Sequence, residues 1–128
     1  MEFLQLIKKS RKNILGYGAS TKGNVVLNHF GIKNSLLPAI ADGNPEKNNL
    51  YTPGANIKII KKEKMREIKP DYLFVLIWSF RKEVIKQETK YLKQGGKLIF
   101  HLPQFHIVDK NNYKKFIKYS FNPFAFSI

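Results

Sequence analysis

The stretch "ILGYGASTKGN", residues 14–24, sets Gly16, Gly18 and Gly23 around Ala19, Ser20, Thr21 and Lys22. Glycines let backbone come close to a phosphate, and a helix starting here would offer unpaired N–H groups and a positive dipole end. Against the dinucleotide pattern G-x-G-x-x-G, Thr21 stands in the third-glycine place and the glycine comes two positions late. Against G-x-x-x-x-G-K-[ST], Gly18 to Gly23 has the spacing, but Asn24 and Val25 replace the lysine and the hydroxyl residue. That argues against ATP hydrolysis. Two readings of the loop stand: an anion cradle, and a strand-to-helix turn capped by Ser20.

Asp42 bears on the choice. It follows an apolar run, nineteen residues after Gly23, where dinucleotide-binding folds carry an acidic residue for ribose hydroxyls. A carboxylate accepts hydrogen bonds from two vicinal hydroxyls, so a nucleoside or a sugar suits it. The competing reading is a turn, because "ADGNP" has strong turn chemistry of its own. Trp78, in "WSF", falls at the same predicted edge and offers either a stacking face or core packing. His29 reads as structural, within an apolar helical stripe. His101 and His106 lack a third ligand, so no metal site is expected. Glu46, Glu63, Glu67, Glu83 and Glu88 read as surface carboxylates paired with lysines. No nucleophilic triad or facing carboxylate pair emerges.

The elements that must position these residues follow from periodicity. Residues 3–12 suit a short helix, 13–15 a strand, and 20–30 a helix whose buried stripe is Val25, Val26, Leu27 and Phe30. Gly31 is its stop. Leu36–Ala41 reads as a strand, with Pro38 confining it to a start or an edge. Residues 43–56 are irregular, "IKII" is a third strand, and "KKEKMREI" is a helix ending before Pro70. "DYLFVLIW" is apolar on both faces, as a central parallel strand should be. Residues 80–94 form one helix with Val84, Ile85, Tyr91 and Leu92 inward, and "KLIFHL" is the fifth strand. "QFHIVD" is a candidate sixth, before a helix near residues 112–119 and an aromatic tail, "FNPFAF". Alternating strands and helices predict an α/β fold: a single Rossmann-like three-layer domain over residues 1–128, its sheet mainly parallel in the order 3-2-1-4-5.

Composition narrows the classes. The 128 residues are 43% hydrophobic and 13% aromatic, which is globular. There is no cysteine, so no disulfide framework and no thiolate chemistry, and the cytoplasm is the expected compartment. No apolar run is long enough to span a membrane, and no signal-peptide pattern opens the chain. Twenty-three Lys and Arg against nine Asp and Glu give a net charge of +14. The lysines are spread along the chain with no recognised nucleic-acid motif, so solvated lysine faces are expected and nucleic acid is not.

Several motifs then coincide. "GYGASTKGNVVLNHFGI", "IADGNPEKNNLYTPGANIKII", "KPDYLFVLIWSFRKEVIKQE" and "YLKQGGKLIFHLP" together resemble the C-terminal domain of SAM-dependent sugar C-methyltransferases, over about residues 10–105. The resemblance implies a domain that helps to hold a nucleoside diphosphate sugar. By motif, one wall of that site would be Gly16, Gly18, Ala19, Ser20, Thr21, Lys22, Gly23 and Asn24. The other would be Asp42, Asn44, Lys47, Tyr51, Thr52, Pro53 and Gly54, with Trp78 at the edge. Zinc cysteines and a second glycine-rich SAM domain are absent from the sequence. SAM is therefore expected in a partner domain or chain, and complete methyl transfer is not expected of this chain alone. It reads as a free-standing subunit, as a subunit docked on a separate methyltransferase chain, or as a fragment of a longer protein. A small NAD- or SAM-binding enzyme is the alternative.

Overall fold

The computed structural model describes residues 2–102 and 104–118; the aromatic tail lies outside them. The described chain runs α1 (Glu2–Lys9), β1 (Ile14–Tyr17), α2 (Thr21–His29), β2 (Ala39–Ala41), β3 (Lys58–Ile60), α3 (Lys62–Ile68) and β4 (Tyr72–Val75). It continues through α4 (Arg81–Gln87), α5 (Thr89–Lys93), β5 (Lys97–Phe100), β6 (His106–Val108) and α6 (Tyr113–Lys118). The strands form one sheet in the order β3-β2-β1-β4-β5-β6. All neighbours are parallel except β5 and β6, which pair antiparallel. The expected order is thus present, with the candidate sixth strand added at one edge.

Alternation along the short strands sorts the core into two faces. Leu15, Tyr17, Ala41, Leu73, Val75, Leu98 and Phe100 pack with Met65 of α3, Val84 and Ile85 of α4, Tyr91 and Leu92 of α5, and Tyr113 of α6. Ile14, Ile40, Phe74 and Ile99 point the other way, onto Leu4 and Ile7 of α1 and Leu27 of α2. The sheet is the middle of three layers.

Four expectations change. The α2 stripe is not Val25, Val26, Leu27 and Phe30, because Gly23 and Leu27 are its buried residues. Val25 is 64% exposed and Phe30 39%, and His29 is exposed as well. The helix is only nine residues long, and its sheet-facing line runs through positions four apart. The predicted single helix at 80–94 breaks at Glu88, which caps both α4 and α5. β2 starts at Ala39, just after Pro38, which has no N–H for a ladder. β4 ends at Val75, and Trp78–Phe80 is a 3-10 turn rather than strand.

The β6 edge is closed by an aromatic stack. The His106 ring lies 5.0 Å from Phe100 and 5.2 Å from Phe116, centroid to centroid. Its Nδ1 donates to the Gln104 carbonyl at 2.7 Å, which leaves Nε2 to accept from Arg81 Nη1 at 3.3 Å. That is the neutral tautomer, assigned from its partners. Burial, with the Arg81 cation acting in the same direction, holds His106 below its ordinary value. Burial shifts His101 the same way. The folded chain therefore binds these protons less readily than the unfolded chain. The stability involved is present above about pH 6.5, the unfolded histidine value, and is lost as pH falls through the folded values. The melting temperature should drop between about pH 7.5 and about pH 5, and His106→Gln should flatten that drop. An unchanged pH slope in the variant would assign the dependence to other groups.

Candidate functional site

The glycine loop forms where β1 runs out. Gly18 donates its N–H to the Ala41 carbonyl at 2.7 Å, extending the sheet by one bond. It then turns with φ +89°, in the left-handed region open to glycine. Ser20 takes extended geometry as the N-cap of α2, and its Oγ accepts from the Gly23 N–H at 3.0 Å. A Cβ on Gly23 would stand 2.7 Å from Leu76 Cβ. Gly23 thus lets the first turn of α2 rest on the chain leaving β4. This is the packing task of the third glycine in dinucleotide-binding folds, carried out two positions late. Gly16, buried inside β1, sits equally close to Ile40.

Two side chains brace the loop from outside. Asp42 Oδ2 accepts from the Ala19 N–H at 2.8 Å, and Oδ1 accepts from the Asn44 N–H at 2.8 Å. Lys47 Nζ donates to the Ala19 carbonyl at 2.7 Å. Asn44 caps the 3-10 turn Pro45–Lys47 by accepting from the Glu46 N–H, which holds Lys47 in reach. The turn reading of Asp42 is therefore realised, and the same carboxylate ties β2 to the loop. The amides of Ser20, Thr21 and Lys22 take no partner among the described residues. Lys22 is exposed, without an ion pair there.

Gly16 to Asn24, Asp42, Asn44 and Lys47 are thus brought together at the carboxyl edge. Trp78, half-buried after β4, joins this edge against the core. Thr52, Pro53 and Gly54 lie farther along α2. Asn28 Nδ2 donates to the Pro53 carbonyl at 3.3 Å, and the Asn28 amide fills the space beside Gly54. Thr52 is buried, with Oγ1 accepting from the Ile57 N–H at 3.0 Å. Tyr51 is exposed and bridges to Lys58. Asn24 Oδ1 is buried without a partner among the described residues, one acceptor still open beside the loop.

Sequence reasoning missed a buried polar network under the same strand. Glu88 is 1% exposed, not a surface carboxylate paired with lysine. It accepts from the Tyr17 hydroxyl at 2.7 Å and from Arg66 Nε and Nη2 at 3.1 and 2.8 Å. Burial first, then Glu88, raises the Tyr17 phenol above its ordinary value, so it stays a neutral donor. The hydrogen bonds to Glu88 raise Arg66. The signal was available: Glu88 stands four after Val84 and four before Leu92, on the inward line of both helices.

Neither of two cavities lies at the loop. One of about 540 Å³ is lined by residues at the amino ends of β4 and β5, and one of about 330 Å³ by residues preceding β1 and β2. Among the described residues no group of three or more His, Cys, Asp or Glu could hold a metal ion. None of their helices is long and apolar enough to cross a membrane.

A mainly parallel sheet with a glycine turn at its carboxyl edge, followed by a helix N-terminus and an acidic residue after β2, defines a Rossmann-like α/β domain. The family described as the C-methyltransferase C-terminal domain matches residues 1–103, and the chain belongs to it. It is 29% identical over 107 residues to the C-methyltransferase NovU of Streptomyces niveus. The match covers 84% of this chain and 26% of NovU, so the chain spans about a quarter of that relative's length.

The loop geometry predicts the cost of two substitutions. In Asp42→Asn one of the Ala19 and Asn44 N–H groups would face an NH2 instead of an oxygen. Urea unfolding should register a loss of about 1 kcal/mol, the scale of one such bond. Gly23→Ala should cost about 1 to 3 kcal/mol through overpacking against Leu76. Wild-type stability in both would mean that the loop yields without resistance.

Proposed function

We infer that the carboxyl edge binds a nucleoside diphosphate sugar, with the diphosphate at the start of α2. The observation that carries this reading is the braced loop. Asp42 and Lys47 hold Ala19 by its N–H and its carbonyl, while the Ser20, Thr21 and Lys22 amides and the Lys22 ammonium have no partner among the described residues. Helix N-terminal amides in that state favour an anion. The half-buried Trp78 offers a stacking face to a sugar or base beside it. The resemblance of the sequence motifs to sugar C-methyltransferases favours a sugar nucleotide over a dinucleotide, and we place this binding in the cytoplasm.

Within this reading the chain contributes binding, and SAM belongs to a partner domain or chain. Methyl transfer needs SAM in line with an activated carbon, at roughly 3 to 3.5 Å, and in this reading the carboxyl edge is taken up by the sugar nucleotide. The purified chain, given SAM and keto-sugar nucleotides, should show no turnover. Methylated product free of host enzymes would overturn that division of labour.

Lys22→Ala tests the site itself. It should weaken nucleoside diphosphate sugars by about 1 to 3 kcal/mol in calorimetric titration, the scale of a charge-assisted bond. The melting temperature should hardly move, because an exposed lysine contributes little to the fold. Undiminished affinity would place the ligand elsewhere.

A further inference from the structure

The 540 Å³ cavity lies on the α3–α5 face, at the end of the sheet opposite the glycine loop. Its volume is in the range of small-molecule sites. Arg66, Lys69 and Lys90 bring cations to it, and Asp71 and Glu88 bring carboxylates. Both carboxylates are hydrogen-bonded, Glu88 in an ion pair and Asp71 to a backbone amide with its charge retained, against three cations. Glu88 is held by Tyr17 and Arg66, and Asp71 Oδ2 accepts from the Asn13 N–H at 2.8 Å.

The cations are not used up in the same way. Arg66 points Nε and Nη2 at Glu88, which fixes the guanidinium plane and leaves Nη1 without a partner among the described residues. Its side chain is 43% exposed beside a carboxylate that is 1% exposed, so the free edge is the one turned to solvent. Lys69 and Lys90 enter no ion pair there. Lys69 also ends α3 in the left-handed region, φ 53°, a position where glycine is favoured. A fork held in place by a buried partner, with two unpaired ammonium groups around it, binds a multivalent anion without first having to be ordered.

We propose that this cavity is a second anion site, taking a small molecule with two or more phosphoryl or carboxylate groups. It is separate from the glycine loop, and neither site requires the other.

Calorimetric titration with inorganic pyrophosphate and with citrate, beside acetate as the monovalent control, tests it. Pyrophosphate or citrate should saturate the site, and acetate should not. Tighter pyrophosphate would assign a phosphoryl ligand, and tighter citrate a carboxylate ligand. Lys69→Glu with Lys90→Glu, both on exposed residues, should weaken that binding at least about tenfold. Lys58→Glu with Lys114→Glu makes the same charge change away from the cavity and should leave affinity within about twofold. Lys22→Ala should leave this site intact whatever it does at the glycine loop. Three results would overturn the proposal: no saturable binding of either polyanion, equal weakening by both double variants, or loss through Lys22→Ala alone. Equal weakening would reveal only the diffuse pull of a chain with net charge +14.

Discussion

The structure depends on one constraint: a parallel sheet of three- and four-residue strands must be covered on both faces. β1 is buried at all four positions, and β4 beside it at three of four. Strands this short leave little room for polar side chains in the middle layer, so chemistry is pushed to the two ends of the sheet. The most deeply buried of the charged side chains described, Glu88, comes from the junction of two helices and arrives with Arg66 and Tyr17 as partners. An unpartnered carboxylate there would cost several kcal/mol. The pairing explains why α4 and α5 can break at Glu88 without exposing it.

Much of this was legible because two-sided burial leaves a strong signature. "DYLFVLIW" is apolar on both faces, as a central strand is, and the short apolar runs at residues 13–15 and in "KLIFHL" mark its neighbours in the sheet. Ends were less legible, since an apolar run does not mark where hydrogen bonding stops. Leu76 still bonds to Tyr17 after β4 ends, but Trp78 has already turned into a 3-10 segment. In α2 the apolar letters misled. Gly23, a residue without a side chain to count, supplies the contact with Leu76, while Val25 faces outward. Hydrophobic periodicity cannot detect burial by close backbone approach.

The candidate site divides along the same line. Residue types near one another in sequence, Gly18 to Asn24, described the loop well. The bonds that make it rigid run from Ala19 to Asp42 and Lys47, over separations that no local pattern encodes. Asp42 had been open between a turn and a hydroxyl acceptor. Its two oxygens each hold a backbone N–H, which satisfies the turn reading. A carboxylate still has lone-pair sites beyond these two bonds, so bracing the loop and accepting from a hydroxyl are compatible.

That double engagement has an electrostatic consequence for the proposed ligand. Lys47 spends its ammonium on a neutral carbonyl, so the charge of Asp42 is not cancelled by a salt bridge. An anion approaching the loop would meet both the cationic Lys22 with the first amides of α2 and the Asp42 carboxylate. Charges a few ångströms apart in a partly desolvated site interact by about 1 to 4 kcal/mol, which is enough to orient a small ligand. In the proposed complex the phosphoryl end would be drawn to Lys22, leaving the neutral, hydroxyl-bearing end to Asp42. Orientation in that complex would then follow from one carboxylate bonded to Ala19 and one lysine three residues later, before any contact specific to a sugar is made.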